Sequence, residues 1–303
     1  MNNIKNKLQY NFNKKDSFSL NLAIAFFGGL FFVAFSIFSV LFYQGLGQTK
    51  SSVFTVLSIS TPEVKAAENS NDQQEDQQMK KEKLPKLKQG VDLKKDFEAE
   101  SLIVKDHDSG KVLLEKNPYQ EHSMASITKL MSALVFLETN PDWNRRVNVV
   151  SDDIIGSHVS AGERYKVKDL WSAALVGSSN KSMLTLADIV NWPREAFVQR
   201  MNQKALELGM SDTYFVEPTG LEKENVSTAS DIAILLSEAL KYKNIQQTLT
   251  KEELNLKPRN NSIKHHVWNT NWVLLDWIPN DFSNIYGGKT GYIEASGYNF
   301  SMQ

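Results

Sequence analysis

Between Leu22 and Tyr43 the chain runs for about 22 residues without a single charged side chain, in a stretch rich in Phe, Leu, Ile and Val. As a helix rising 1.5 Å per residue, such a run spans a hydrocarbon core of roughly 30 Å. The apolar region of a cleavable secretory signal is about 7–15 residues long, so this longer run is expected to be retained as an anchor. Cleavage near Ala66-Ala67 is the alternative. Lys5, Lys7, Lys14 and Lys15 precede the run against one acid, Asp16. That basic flank predicts that the N-terminus stays inside and that everything after residue 47 lies across the membrane. Residues 1–47 are therefore expected to be a cytoplasmic basic tail and a single-pass transmembrane helix, with the membrane as a partner.

Residues 48–95 have the opposite character. Glu68 to Lys88 is dominated by Asn, Asp, Gln, Glu and Lys and lacks aromatic and β-branched residues. Too little apolar surface is available there to offset the entropy of ordering, which predicts a disordered linker acting as a tether. The globular pattern is confined to residues 96–303. Ser101–Lys105 and Lys111–Glu115 read as strands joined in a hairpin through Asp106-His107-Asp108-Ser109-Gly110. Ala125 to Glu138 reads as a helix that is apolar around most of its girth and so belongs inside a core. Helical patterns also fit Val167–Val176, Lys181–Val190, Arg194–Leu208 and Ala229–Leu240, the last capped by Ser227-Thr228 ahead of Asp231. Ile285–Lys289 and Tyr298–Phe300 read as strands. Strands at both ends with helices between predict an α+β domain, with an antiparallel sheet joining its two ends and a cluster of helices.

Several chemistries are disfavoured by composition. The formal net charge is −1, so nothing points to nucleic acid. With no cysteine in the chain, disulfides, thiolate metal sites and a cysteine nucleophile are excluded. The five histidines, His107, His122, His158, His265 and His266, show no metal-ligand spacing. His265 and His266 adjoin in a stretch where neighbours on a strand would point to opposite faces. No metal site is expected. A Gly-x-Ser-x-Gly elbow and a Gly-rich phosphate loop are both lacking. Trp268, Trp272 and Trp277 are expected to be packing residues rather than a platform for stacking sugars.

Three short signals remain, in this order: Ser126-Ile127-Thr128-Lys129, Ser178-Ser179-Asn180 and Lys289-Thr290-Gly291. Singly they are weak. Ser178 to Lys181 also satisfies Ser-x-x-Lys, and taken alone that pattern fits a helix cap beside a solvated lysine. In the first turn of a buried helix, however, Ser126 and Lys129 lie on one face. A serine hydroxyl becomes a nucleophile when a base takes its proton, and a lysine serves as that base only when neutral. Burial disfavours the ammonium form, and a second cation such as Lys289 pushes the same way. The N–H of Ser126 would face the oxyanion. Ser178 in the polar break would relay a proton to a leaving amine, and Asn180 would orient its neighbours; a turn with capping serines is the plain reading. Lys289 and Thr290 would hold a terminal carboxylate. Gly291 would allow close backbone approach, and the N–H of Tyr292 would be a second oxyanion donor.

With these residues in place, residues 96–303 resemble the D-alanyl-D-alanine carboxypeptidases, the low-molecular-mass penicillin-binding proteins of serine type with a β-lactamase/transpeptidase-like fold. Met124 through Met131 matches that family's nucleophile segment almost residue for residue. Leu208-Gly209-Met210, Thr213, Phe215, Pro218, Gly220-Leu221, Ser227-Thr228-Ala229, Asp231, Asn269-Thr270-Asn271 and Gly288 through Asn299 extend the match. The resemblance implies acylation of Ser126 by a peptidoglycan stem peptide ending in D-Ala-D-Ala, release of the terminal D-Ala, and hydrolysis by water. It further implies inhibition by β-lactams at the same serine, no cofactor, and placement of the domain outside a bacterial cytoplasmic membrane.

Four departures from the family pattern stand out. Lys181 follows Asn180 where the family usually has an acid, the N-terminal anchor is unusual, and the family's mostly β accessory domain is absent. The sequence also stops at Gln303, where the family fold continues with two strands and a packing helix, about 35–45 residues by their usual lengths. The expectation is a partial chain, whose own activity is in doubt. Two rivals remain. One is a β-lactamase of the same fold, although the Glu-x-x-Leu-Asn pattern of one class is missing between Ser178 and Lys289. The other is an inactive wall-associated relative.

Overall fold

A computed structural model describes residues 98–150, 154–155 and 158–303. The apolar run Leu22–Tyr43 and the tether at 48–95 lie outside the described residues. Among the described residues, no helix is long and apolar enough to cross a membrane.

The fold begins with the expected hairpin. Strands β1 (Leu102–Lys105) and β2 (Val112–Lys116) pair antiparallel, and Asp106 closes the turn by accepting from the N–H of Ser109 at 3.0 Å. The short β3 (His122–Ser123) pairs with β6 (Val226–Ser227) and leads into a 3-10 turn at Ala125–Ile127. Helix α1 (Thr128–Glu138) follows, buried without interruption from Thr128 to Phe136. A helix apolar on every side has to be central, and α1 packs against four others: α2 (Val167–Val176), α3 (Asn180–Asp188), α4 (Arg194–Glu207) and α5 (Ala229–Leu240). Phe136, Trp143 and Trp171 form an aromatic cluster with ring centroids 5.3–6.3 Å apart, and the Trp171 indole donates to Thr248 Oγ1 at 2.9 Å. That threonine lies on α6 (Lys243–Leu249).

The helix boundaries follow local chemistry. Thr228 caps α5 by accepting from the N–H of Asp231, as its sequence predicts. Helix α3 starts one residue before the predicted Lys181 and stops at Asp188 rather than Val190. Asn191 then takes a positive φ of 61° and Pro193 precedes α4, so the helix cannot continue.

The strands depart further from expectation. Among the described residues they form five separate antiparallel pairs rather than one sheet joining both ends. Besides the two pairs above, β4 (Arg146–Asn148) meets β5 (Arg164–Lys166), and β7 (Glu253–Leu256) meets β8 (His265–Trp268). The fifth pair is β9 (Gly288–Ile293) with β10 (Gly297–Met302). The strand read at Ile285–Lys289 is thereby shifted toward the C-terminus: its register is set by β10, with Lys289 opposite Ser301 and Tyr292 opposite Tyr298. Such cross-strand pairing is non-local, and a window of local propensity does not contain it. His265 and His266 do point apart, toward Glu163 at 3.0 Å and Glu253 at 2.7 Å.

The centrality of α1 gives a direct stability test. Phe136 is 1% exposed, so Phe136→Ala should remove about 3–5 kcal/mol from the unfolding free energy. A urea titration followed by tryptophan fluorescence would read this as a lowered midpoint.

Candidate active site

Ser126 sits in the 3-10 turn one step before α1, not in the first turn of the helix as its sequence suggests. Ala125 causes the break by adopting φ 47°, a left-handed conformation that costs a non-glycine residue of order 1–3 kcal/mol. The i to i+3 relation survives across the junction. Lys129 Nζ lies 2.8 Å from Ser126 Oγ, 2.6 Å from Asn180 Oδ1 and 2.6 Å from the carbonyl oxygen of Thr219.

The count of partners decides what this nitrogen can do. Two of its three neighbours, the oxygens of Asn180 and Thr219, can only accept. A neutral amine has two N–H bonds for them, and its lone pair is then left for the Ser126 hydroxyl to donate into. Burial pulls the Lys129 pKa down to about 7, while the Glu217 carboxylate pulls it back up. The amine can therefore be neutral at ordinary pH, with its lone pair directed at the serine.

Ser178 is held in place by strain and by a second buried lysine. Its φ is 57°, which turns it out of line between α2 and α3. Lys289 Nζ donates to Ser178 Oγ at 2.9 Å and to the Thr290 carbonyl at 2.8 Å. Lys289 is 1% exposed, and burial, followed by repulsion from Lys129, pushes its pKa well below the usual lysine value. The neighbouring serine plays a different part, since Ser179 caps α3 by accepting from the N–H of Ser182 at 3.2 Å. The capping reading of this loop holds for Ser179, while the Ser178 hydroxyl is bonded to Lys289 instead. The Asn180 amide donates to the carbonyl of Ile155 at 2.7 Å, which fixes its oxygen toward Lys129.

Two glycines let the backbone close around the nucleophile. A Cβ at Gly291 would lie 2.8 Å from the Ser126 nitrogen, so strand β9 runs directly against the turn. Gly220 has φ 86°, and a Cβ there would sit 1.9 Å from the Ala125 carbonyl oxygen. Thr290 Oγ1 is 2.6 Å from Thr270 Oγ1, and Tyr292 follows Gly291 with its ring exposed and packed at a tilt against Tyr298, centroids 4.7 Å apart. Hydrogen bonds thus join Ser126, Lys129 and Asn180 and, separately, Ser178 and Lys289, while Gly291 brings the 289–292 segment against the Ser126 turn.

The sequence reading matched Pro218 and Gly220-Leu221 to the family but gave Glu217 and Thr219 no part in the site, although this turn supplies the Thr219 carbonyl to Lys129. The tryptophans are corrected in part. Trp268 and Trp272 each pack on Trp277, at 5.5 and 6.2 Å, yet all three stay about half exposed, at 46%, 56% and 53%. They pack on one another at the surface rather than in the core, Trp268 from the end of β8 and Trp272 and Trp277 from the loop after Thr270.

Comparison with known proteins gives a consistent picture. A family model described as D-alanyl-D-alanine carboxypeptidase matches residues 88–303. A D-alanyl-D-alanine endopeptidase of Pseudomonas aeruginosa is 34% identical over 224 residues, covering 72% of this chain and 71% of its own. The D-alanyl-D-alanine carboxypeptidase DacF of Bacillus subtilis is 33% identical over 213 residues, 66% of this chain, and the match spans about half of that relative (52%). Penicillin-binding protein D2 of Listeria monocytogenes, solved in a cefotaxime-bound form, superposes with a TM-score of 0.56 at 27% identity, over 66% of this chain and 81% of the other.

The lysine pair predicts a pH profile. If neutral Lys129 takes the serine proton, acylation should rise as pH climbs through about 7, because the pKa is depressed to that region. Stopped-flow measurement with a fluorescent penicillin would check this, and a flat profile through neutrality would contradict it. Gly220→Ala, which places a methyl against the Ala125 carbonyl, should slow the same reaction at least about tenfold, since small displacements of reacting groups are costly.

Proposed function

Because the chain belongs to the D-alanyl-D-alanine carboxypeptidase family, we propose that its 96–303 region hydrolyses the terminal D-Ala-D-Ala bond of peptidoglycan stem peptides through an acyl-enzyme on Ser126. The observation that carries this is the Lys129 amine, buried and shared among Ser126, Asn180 and Thr219. Lys129 takes the proton of Ser126 as Oγ bonds to the penultimate D-Ala carbonyl carbon. The N–H groups of Ser126 and Tyr292 receive the oxyanion. Lys289 and Thr290 hold the terminal carboxylate, with a charge-assisted bond from the lysine once the anion is present.

Collapse of the tetrahedral species breaks the C–N bond. The leaving amine takes the proton that Lys129 received, relayed through Ser178, whose hydroxyl Lys289 holds, and Lys129 is neutral again. Water then adds to the ester carbonyl, giving a proton to Lys129, which passes it to Ser126 Oγ as the ester C–O bond breaks. Asn180 keeps the Lys129 nitrogen aligned throughout. A β-lactam presents a carbonyl and a carboxylate in the same relation, so it would acylate Ser126 as well. No step calls for a metal or an organic cofactor.

The organisation of the chain enters the proposal too. Residues 1–47 would anchor the protein in a bacterial cytoplasmic membrane with the N-terminus inside, and 48–95 would tether the catalytic domain on the far side. The uncharged run and its basic flank support this reading.

A D,D-endopeptidase reading is favoured by the endopeptidase among the relatives. The two activities share the acylation step and differ in the leaving group, free D-Ala or a residue of a second peptide. Full-length chain incubated with a pentapeptide and, separately, with a cross-linked dimer should release D-Ala from the first on the carboxypeptidase reading. Splitting of the dimer alone would shift the assignment. Ser126→Ala should abolish covalent labelling by penicillin while leaving the thermal midpoint near that of the native chain. Labelling that persists would place the nucleophile elsewhere.

A further inference from the structure

Thr219 offers Lys129 a carbonyl, and something has to hold that carbonyl in place. The segment Glu217–Leu221 lies outside every helix and strand of the fold. Its own side chain does the holding. Glu217 Oε2 accepts from the N–H of Thr219 at 2.6 Å and from its hydroxyl at 2.7 Å. Oε1 accepts from the N–H groups of Gly220 and Leu221, the second at 2.9 Å, and from the Asn225 amide at 3.0 Å. Three successive backbone N–H groups thus converge on one carboxylate, a concave arrangement that calls for an anion.

The same knot reaches the nucleophile turn from two sides. Asn225 is fully buried, and its amide also bonds Thr128 Oγ1 at 3.1 Å, at the start of α1. Its backbone carbonyl accepts from the N–H of Met124 at 3.0 Å, two residues before Ser126. Gly220 meanwhile abuts the Ala125 carbonyl. Displacing Glu217 would therefore disturb both the Ser126 turn and the Lys129 nitrogen.

We propose that Glu217 is a positioning residue for acylation, whose carboxylate shapes the 217–221 turn around Lys129 and supplies a negative charge near that amine. The proposal rests on the acyl-enzyme reading above and deepens it. The charged groups facing Lys129 are Lys289 from β9 and Glu217 from this turn; Ser126, Asn180 and Thr219 are its neutral partners. Burial favours the neutral amine, and Glu217 favours the ammonium. Glu217 thus sets how acidic the surroundings can become before the base is lost. A simple brace for the turn would hold the loop without affecting that balance.

The two roles separate in a pH profile. Full-length native chain, Glu217→Gln and Glu217→Asp would each be acylated with a fluorescent penicillin as a function of pH. A glutamine cannot accept at both ends, because its amide group donates. Glu217→Gln should therefore lower the plateau rate at least about tenfold. It should also move the acid limb down by about one pH unit, since loss of an opposite charge favours the neutral amine. Glu217→Asp, which keeps the charge but withdraws it by one methylene, should place the limb between native and Glu217→Gln. A limb that stays at the native pH in Glu217→Gln, whatever the plateau, would overturn the proposal. Should that variant fail to fold, Glu217→Asp decides alone: a lowered limb supports the proposal, and an unmoved one rejects it. Failure of the underlying reading is distinguishable. It would show as a native chain that penicillin does not label, or as labelling that survives Ser126→Ala, and the proposal would fall with it.

Discussion

The site depends on a lysine nitrogen that is out of reach of water and has three oxygen neighbours, two of which can only accept. An ammonium ion there would satisfy all three, but at the expense of its hydration. A neutral amine satisfies the two carbonyl oxygens and turns its remaining lone pair to the serine. Burial favours the neutral form, and the Glu217 carboxylate favours the charged one. The balance lies near neutrality, where a general base is most useful.

Such a balance requires rigid surroundings, and the fold supplies them by close approach of main chains. Ala125 and Ser178 both hold positive φ angles beside the reacting groups, and Gly220 and Gly291 bring two other segments against the nucleophile turn. Local strain of this kind persists only where neighbouring structure over-determines the geometry. Helix α1 anchors one side of the cleft through its buried core contacts, and the β9–β10 pair forms the other. The Ser126 turn lies where the helical cluster meets strand β9.

Membership in the D-alanyl-D-alanine carboxypeptidase family fits this geometry without adding to it. Relatives named as carboxypeptidases and as endopeptidases both match, which agrees with a site whose central chemistry is acyl transfer. What distinguishes the two activities is the group that leaves. The half-exposed tryptophans near Thr270 show how unevenly aromatic residues are used here. Phe136, Trp143 and Trp171 build the core, whereas Trp268, Trp272 and Trp277 cover one another at the surface.

The sequence by itself determined the elements with strong local signals. The all-apolar α1, the bounds of α2 and α5, the Thr228 cap and the first hairpin are all readable from periodicity and side-chain chemistry. So were the site residues, because Ser126, Lys129, Ser178, Asn180, Lys289 and Thr290 belong to short ordered motifs whose chemistry is stated by their residue types. Only the tertiary structure decided what depends on distant partners. Among the described residues it split the strands into five pairs, shifted β9 to match β10, and set Ser126 in a 3-10 turn. It also recruited a main-chain carbonyl at Thr219, which carries no sequence mark as a functional group. Main-chain groups are alike at every position, and only the fold determines which of them reach a buried amine.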